Sequence, residues 1–168
     1  LPRAPQLYEH IENNVLIDTK FGDQALTDQA FAKASHVVEH EFHIQRVTGV
    51  TMEPRSALGS YDADAGKFTL IAGSGGAVRQ QSEIAAVLGI DTSDIRVISP
   101  DVGGNFGTRN RVYIEFGLVL FAAKKINRPV KFTATRSESF LTDYQGRDLV
   151  TNIALALDET GKFLGLKC

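Results

Sequence analysis

At 168 residues and 43% apolar, the chain is long enough for one compact domain with a core, or for one part of a larger fold. A net charge of -2, with lysines and arginines never in a run of five, argues against broad attraction to nucleic acid or anionic membrane. The longest apolar stretch, "GLVLFAA" from Gly117 to Ala123, is far short of a bilayer span. Cys168 is the single cysteine, which excludes an internal disulfide and a thiolate metal cage and fits a reducing compartment.

In chain order, residues 1–22 read as an irregular lead-in marked by Pro2, Pro5 and the pair Asn13 and Asn14, with residues 23–168 forming the folded domain. "LTDQAFAKA" predicts a short helix with Thr27 as its N-cap. "VVEHEFHI" alternates, with Val38, Phe42 and Ile44 on one face and Glu39, Glu41 and His43 on the other, and predicts a half-buried strand. That alternation also sends His40 and His43 to opposite faces, so the run His36, His40, His43 does not read as a metal site. "SALGSYDADAGKFTLIAG" predicts two strands joined by a turn at Asp62 to Gly66. A helix is expected from Ala77 to Leu88, stopped by Gly89, and then a strand "IRVI" ended by Pro100. Val112, Phe116, Val119, Leu120 and Ala123 follow helical spacing, with Lys124 and Lys125 near the negative end of the dipole. "RPVKFTATR" predicts a strand, and the last twenty residues a strand, a turn at Asp158 to Gly161, and a second strand. The sum is an α+β fold, a mixed sheet with a few packed helices. A start without methionine and a last strand running to the chain end lead us to expect a piece of a larger protein.

"SPDVGGNFGTRN", Ser99 to Asn110, lies between a predicted strand and a predicted helix. Glycines there permit φ > 0 and let a ligand reach main-chain donors at the positive end of a dipole. No Lys-Ser/Thr pair follows the last glycine and no Gly-x-Gly-x-x-Gly occurs, so neither the P-loop nor the dinucleotide fingerprint applies. Spacing alone leaves two readings open, a main-chain anion cradle and a strained turn.

Upstream, Gln45-Arg46 is followed by Met52-Glu53-Pro54-Arg55; downstream come Arg128-Pro129-Val130-Lys131 and Arg136-Ser137-Glu138. With the glycine segment between them, this ordered set resembles the molybdenum-binding large subunit of the xanthine dehydrogenase and aldehyde oxidase family, in its carbon monoxide dehydrogenase-like branch. The resemblance covers nearly the whole chain.

It implies that Gln45 directs its amide to a ligand oxygen on molybdenum and that the backbone N–H of Phe106 contacts an oxo group. Gly104, Asn105 and Gly107 would line the pterin and its phosphate-bearing tail, so that Gln45 and Phe106 meet the metal's ligands without ligating it. Arg109 and Asn110 are the candidate substrate contacts. Xanthine-type members carry a glutamate where this chain has Asn110, which argues against purine recognition of that kind. Arg109 is otherwise a solvated charge at a helix start, and Glu53 and Arg55 are expected to pair and orient their loop. The implied chemistry is oxidative hydroxylation of an aldehyde, heterocycle or similar small substrate. The implied cofactor is molybdenum-molybdopterin in its cytosine dinucleotide form, with two-iron two-sulfur clusters and FAD on partner subunits. No catalytic residue falls within the 168 residues, because the general-base glutamate and a further active-site loop are expected beyond Cys168. The isolated chain is accordingly expected to be inactive, its location cytoplasmic, with export of the larger protein to the periplasm also compatible. A non-catalytic binding or assembly module and an unrelated glycine-loop phosphate binder are the alternatives.

Overall fold

The computed structural model describes residues 4–168, and its backbone separates into two compact units, 4–43 with 150–168, and 44–149. In the first unit a single 3-10 turn, Glu12–Asn14, precedes helix α1, Gln24–Ala32. Asp23, not Thr27, caps α1: its carboxylate accepts from Leu26 N at 2.9 Å, while the Thr27 hydroxyl donates inside the first turn to Asp23 O. Strand β1, His36–Ile44, belongs to a three-stranded sheet in the order β1-β8-β9, where β8 is Leu149–Leu157 and β9 is Phe163–Lys167. Helix α1 packs on β9, close enough that a Cβ on Gly165 would come within 2.9 Å of Ala30 Cβ. The strand expected here forms, but all nine residues of β1 are exposed and no half-buried face results; Val38 remains 59% exposed.

The second unit holds the larger core. Strands β3 (Ser56–Asp62), β4 (Lys67–Ala72), β5 (Ile95–Ile98) and β6 (Val130–Thr133) form one sheet in the order β5-β4-β3-β6. A tight hairpin pairs β3 with β4 in the register Gly59↔Leu70, and β6 adds antiparallel to β3. By contrast β4 and β5 are parallel, joined through helix α2, Ala77–Leu88, which ends at Gly89 with φ +66°. Alternation buries Ala57, Phe68, Leu70 and Ala72 on one face, under helix α3, Ile114–Ile126. Phe116, Val119, Leu120 and Ala123, at i, i+3, i+4 and i+7, complete that core. Gly59 is needed for clearance: a Cβ there would lie 2.8 Å from the carbonyl carbon of Val119.

A short strand pair and a helix lie outside the sequence reading. Strands β2 (Val47–Thr48) and β7 (Gln145–Gly146) form a two-residue antiparallel pair. Helix α4, Arg136–Thr142, starts at a capping box in which Thr135 and Glu138 each accept from the other's backbone N–H. Among the described residues no helix is long and apolar enough to cross a membrane.

Candidate functional site

Because β4 and β5 run parallel, the loops leaving their C-terminal ends emerge at the same edge of the sheet. The loop after β4 is "GSGG", Gly73 to Gly76, and the one after β5 is the glycine segment. They are stitched together: Ser74 N donates to Ser99 Oγ at 3.1 Å, and Gly75 N to Arg109 O at 3.1 Å.

Within the segment, Gly104, Phe106 and Gly107 all have positive φ, at 111°, 50° and 87°. For Phe106 this left-handed conformation costs on the order of 1 kcal/mol, which its surroundings must offset. Among the described residues, none accepts from the backbone N–H groups of Gly104, Asn105 or Phe106. Successive main-chain donors in such a left-handed turn form a concavity suited to an anion or an oxo group. The Phe106 ring folds back over Gly104 and stays 74% exposed, so the residue's backbone, more than its ring, shapes the concavity.

The "MEPR" turn holds this loop from beneath. Glu53 accepts from Gly103 N through its carboxylate at 2.7 Å and donates its own N–H to Gly103 O at 3.3 Å. Arg136 donates to the carbonyls of Thr51 and Met52 at 2.7 and 2.6 Å. The expected Glu53–Arg55 pair does not form. Arg55 instead points into the core, where its guanidinium meets Asp143 Oδ1, Glu115 Oε1 at 2.7 Å and Thr142 Oγ1 at 2.9 Å. Burial works against the charge on Arg55, but the hydrogen bonds and charges of Glu115 and Asp143 outweigh it and raise its pKa.

Arg109 is likewise not a solvated charge. It is 2% exposed, and its guanidinium donates to Asp143 Oδ2 at 3.1 Å, Thr51 Oγ1 at 2.7 Å and Glu53 O at 3.1 Å. Asp143 thus joins the arginine of the "MEPR" turn to the arginine of the glycine segment, one carboxylate oxygen each. Arg55 also stacks over the Tyr113 ring, 4.2 Å from its centroid, and Tyr113 donates its hydroxyl to Thr108 O at 2.6 Å. Burial raises the Tyr113 pKa above its usual value, so the phenol is a lasting donor to the loop.

A cleft of about 400 Å³ opens beside Phe106, walled by Gly49, Gly107, Thr108, Tyr144, Gln145 and Arg147. Gly49 is forced by this approach, since its Cβ would stand 2.7 Å from Thr108 Cγ2. Gln45 does not line the cleft; it is exposed between β1 and β2, and the short β2–β7 pairing brings Gly49 to the segment instead. Tyr144, Gln145 and Arg147 were not legible as site residues, because the two-residue pairing that places them carries no periodic signal. Asn105 and Asn110 lie side by side on the loop, Nδ2 of the first 2.9 Å from Oδ1 of the second. A larger cavity of about 690 Å³, between residues 19–28 and 166–168, includes none of the expected site residues.

Residues 7–168 match the molybdopterin cofactor-binding domain family. The chain is 33% identical over 152 residues to the gamma subunit of the 6-hydroxypseudooxynicotine dehydrogenase complex of Paenarthrobacter nicotinovorans, covering 90% of this chain and 18% of that protein. To the carbon monoxide dehydrogenase large chain of Hydrogenophaga pseudoflava it is 32% identical over 146 residues, 87% of this chain and 18% of the other. Among solved structures, reconstituted CO dehydrogenase from Oligotropha carboxidovorans superposes with a TM-score of 0.80 at 30% identity, over 88% of this chain and 18% of that one. The chain therefore spans 18% of the length of each of these relatives. A match over nearly every described residue, carried by an α+β fold, places this chain in the molybdopterin cofactor-binding domain family.

Proposed function

We propose that the chain is the cofactor-contacting part of a molybdenum hydroxylase large subunit, in which the glycine segment donates main-chain N–H groups to the molybdenum–pterin. The observation that carries this is the run of three N–H groups, Gly104 to Phe106, left without an acceptor among the described residues in a left-handed turn. A molybdenum–pterin bears oxo and phosphate oxygens, which are acceptors, so donor set and group match in chemistry. When bound, the cofactor supplies oxidative hydroxylation of a small substrate such as an aldehyde or heterocycle.

This chain's own residues position and bind. Glu53 fixes Gly103, Asp143 fixes the Thr108–Asn110 turn through Arg109, and Tyr113 anchors Thr108, so the donors are preorganised before a ligand arrives. Asn110, exposed at the end of the segment, faces the substrate in this reading, the exposed Gln45 turns its amide to a ligand oxygen of the metal, and the buried Arg109 serves to hold the loop. The cytosine dinucleotide form of the cofactor, iron–sulfur and FAD partner subunits, and the remainder of the large subunit complete the assembly we propose. The test is elemental and pterin analysis of the larger subunit, expressed with cofactor synthesis intact. About one molybdenum and one pterin per chain is expected; pterin-free and metal-free protein would remove the cofactor reading.

A further inference from the structure

The cleft beside Phe106 holds one charged group, Arg147, and no carboxylate among its lining residues. Asp148, the next residue along, lies 3.6 Å from Arg46 Nε instead, so among the described residues Arg147 has no ion pair. A guanidinium stays charged throughout the physiological range, and its planar fork of N–H donors matches a carboxylate.

The backbone that carries this arginine is strained. Arg147 and Asp148 both have left-handed φ, at 70° and 66°, although neither is glycine. Two such residues in succession are costly and persist only where the surrounding structure holds them. Here the Val47↔Gly146 pairing fixes the residue before them, and the Arg46–Asp148 contact lies just beyond. The turn they make keeps Arg147 on the wall of the cleft.

Two aromatic residues line the same cleft, Phe106 at 74% and Tyr144 at 50% exposure. Tyr144 is held in place: its hydroxyl donates to Val112 O at 3.2 Å, and its ring tilts against Tyr113 with centroids 5.1 Å apart. Exposed aromatic surface beside a lone cation is the lining of a small-molecule site, and about 400 Å³ lies in the size range of such sites. A bare inorganic anion would leave the rings uncovered, and a neutral aromatic would leave the guanidinium without an acceptor.

We propose that this cleft binds a small aromatic carboxylate. The carboxylate takes the Arg147 fork, and the ring lies against Phe106 and Tyr144. This site goes beyond the cofactor reading and does not depend on it, because Arg147 and Tyr144 belong to the β7 strand end and not to the glycine segment.

The test measures dissociation constants for the larger subunit by ligand-observed NMR at neutral pH, with benzoate, benzyl alcohol and acetate as probes. A charge-assisted hydrogen bond predicts benzoate about tenfold tighter than benzyl alcohol. Burial of the ring predicts benzoate about tenfold tighter than acetate. Arg147→Gln should weaken benzoate about tenfold and leave benzyl alcohol unchanged; Arg147→Lys, a point charge without the fork, should fall between. Arg111→Gln is the control for general charge, since Arg111 lines no part of the cleft and stands 3.8 Å from Glu83. Benzoate binding that is unchanged in Arg147→Gln overturns the inference, as does an equal loss in Arg111→Gln or acetate binding as tightly as benzoate. Molybdenum and pterin content of the same samples reports separately on the cofactor reading: metal-free protein that still binds benzoate through Arg147 would sink that reading and leave this site standing.

Discussion

Replacing Asp143 with alanine should unfold the molecule more readily than any surface change. Its carboxylate is 3% exposed and bonded by two guanidiniums that are themselves 1% and 2% exposed. Removing it leaves Arg109 with only neutral acceptors and Arg55 with Glu115 as its single remaining anion. Breaking a buried pair by deleting one partner costs about 3–5 kcal/mol, and with two arginines affected the upper figure applies, about 5 kcal/mol. For a chain of this size that is a fall in Tm of about 10–20 °C. Urea unfolding followed by far-ultraviolet circular dichroism reads the free energy directly. Asp143→Asn, which keeps one carbonyl acceptor, should fall nearer 3 kcal/mol. Adding Arg109→Met to Asp143→Ala should restore part of the loss, because it removes the stranded charge. A loss of less than about 1 kcal/mol, typical of exposed ion pairs, would refute the claim that this network organises the loop.

Two other effects follow from the same packing. Gly59→Ala would set a Cβ 2.8 Å from the α3 backbone at Val119, and neither partner is a flexible side-chain end. We expect about 3 kcal/mol of destabilisation by overpacking, and a change within the error of urea unfolding would show that α3 can shift freely. Tyr113 titrates above the usual 10.0 because burial disfavours its phenolate. Its contribution to stability is complete below the unfolded pKa and is lost as pH rises through the folded one. Phenolate absorbance during an alkaline titration should show one tyrosine ionising late, together with unfolding; Tyr113→Phe should remove that phase, and its persistence would contradict the assignment.

Local pattern carried most of the fold in the second unit. Alternation in β3 and β4, the turn between them, Gly89 as a helix stop and the spacing in α3 are all properties of neighbouring residues. Failures came where distant residues decide. Glu53 and Arg55 are adjacent enough to suggest a pair, but Gly103 lies 50 residues from Glu53 and Asp143 lies 88 from Arg55. Arg109 read as a solvated charge because its buried anion is 34 residues further on. Helix α4 was legible in principle, since Thr135 and Glu138 spell a capping box, but the alternating "KFTATR" before it drew attention to a strand. Three of the motif pieces seen in order along the chain form one cluster, in which "MEPR" and Arg136 are the scaffold of the glycine segment.

The central claim is that Phe106 contributes its backbone N–H, and not its ring, to cofactor binding. Phe106→Ala keeps that N–H and removes the ring; Phe106→Pro removes the N–H and sets φ near −65° where the loop has +50°. Molybdenum and pterin per chain, measured on both variants of the larger subunit beside the wild type, decide the matter. The account predicts near-wild-type content in the alanine variant and a loss to well below stoichiometric in the proline variant. Full cofactor content in Phe106→Pro would contradict it.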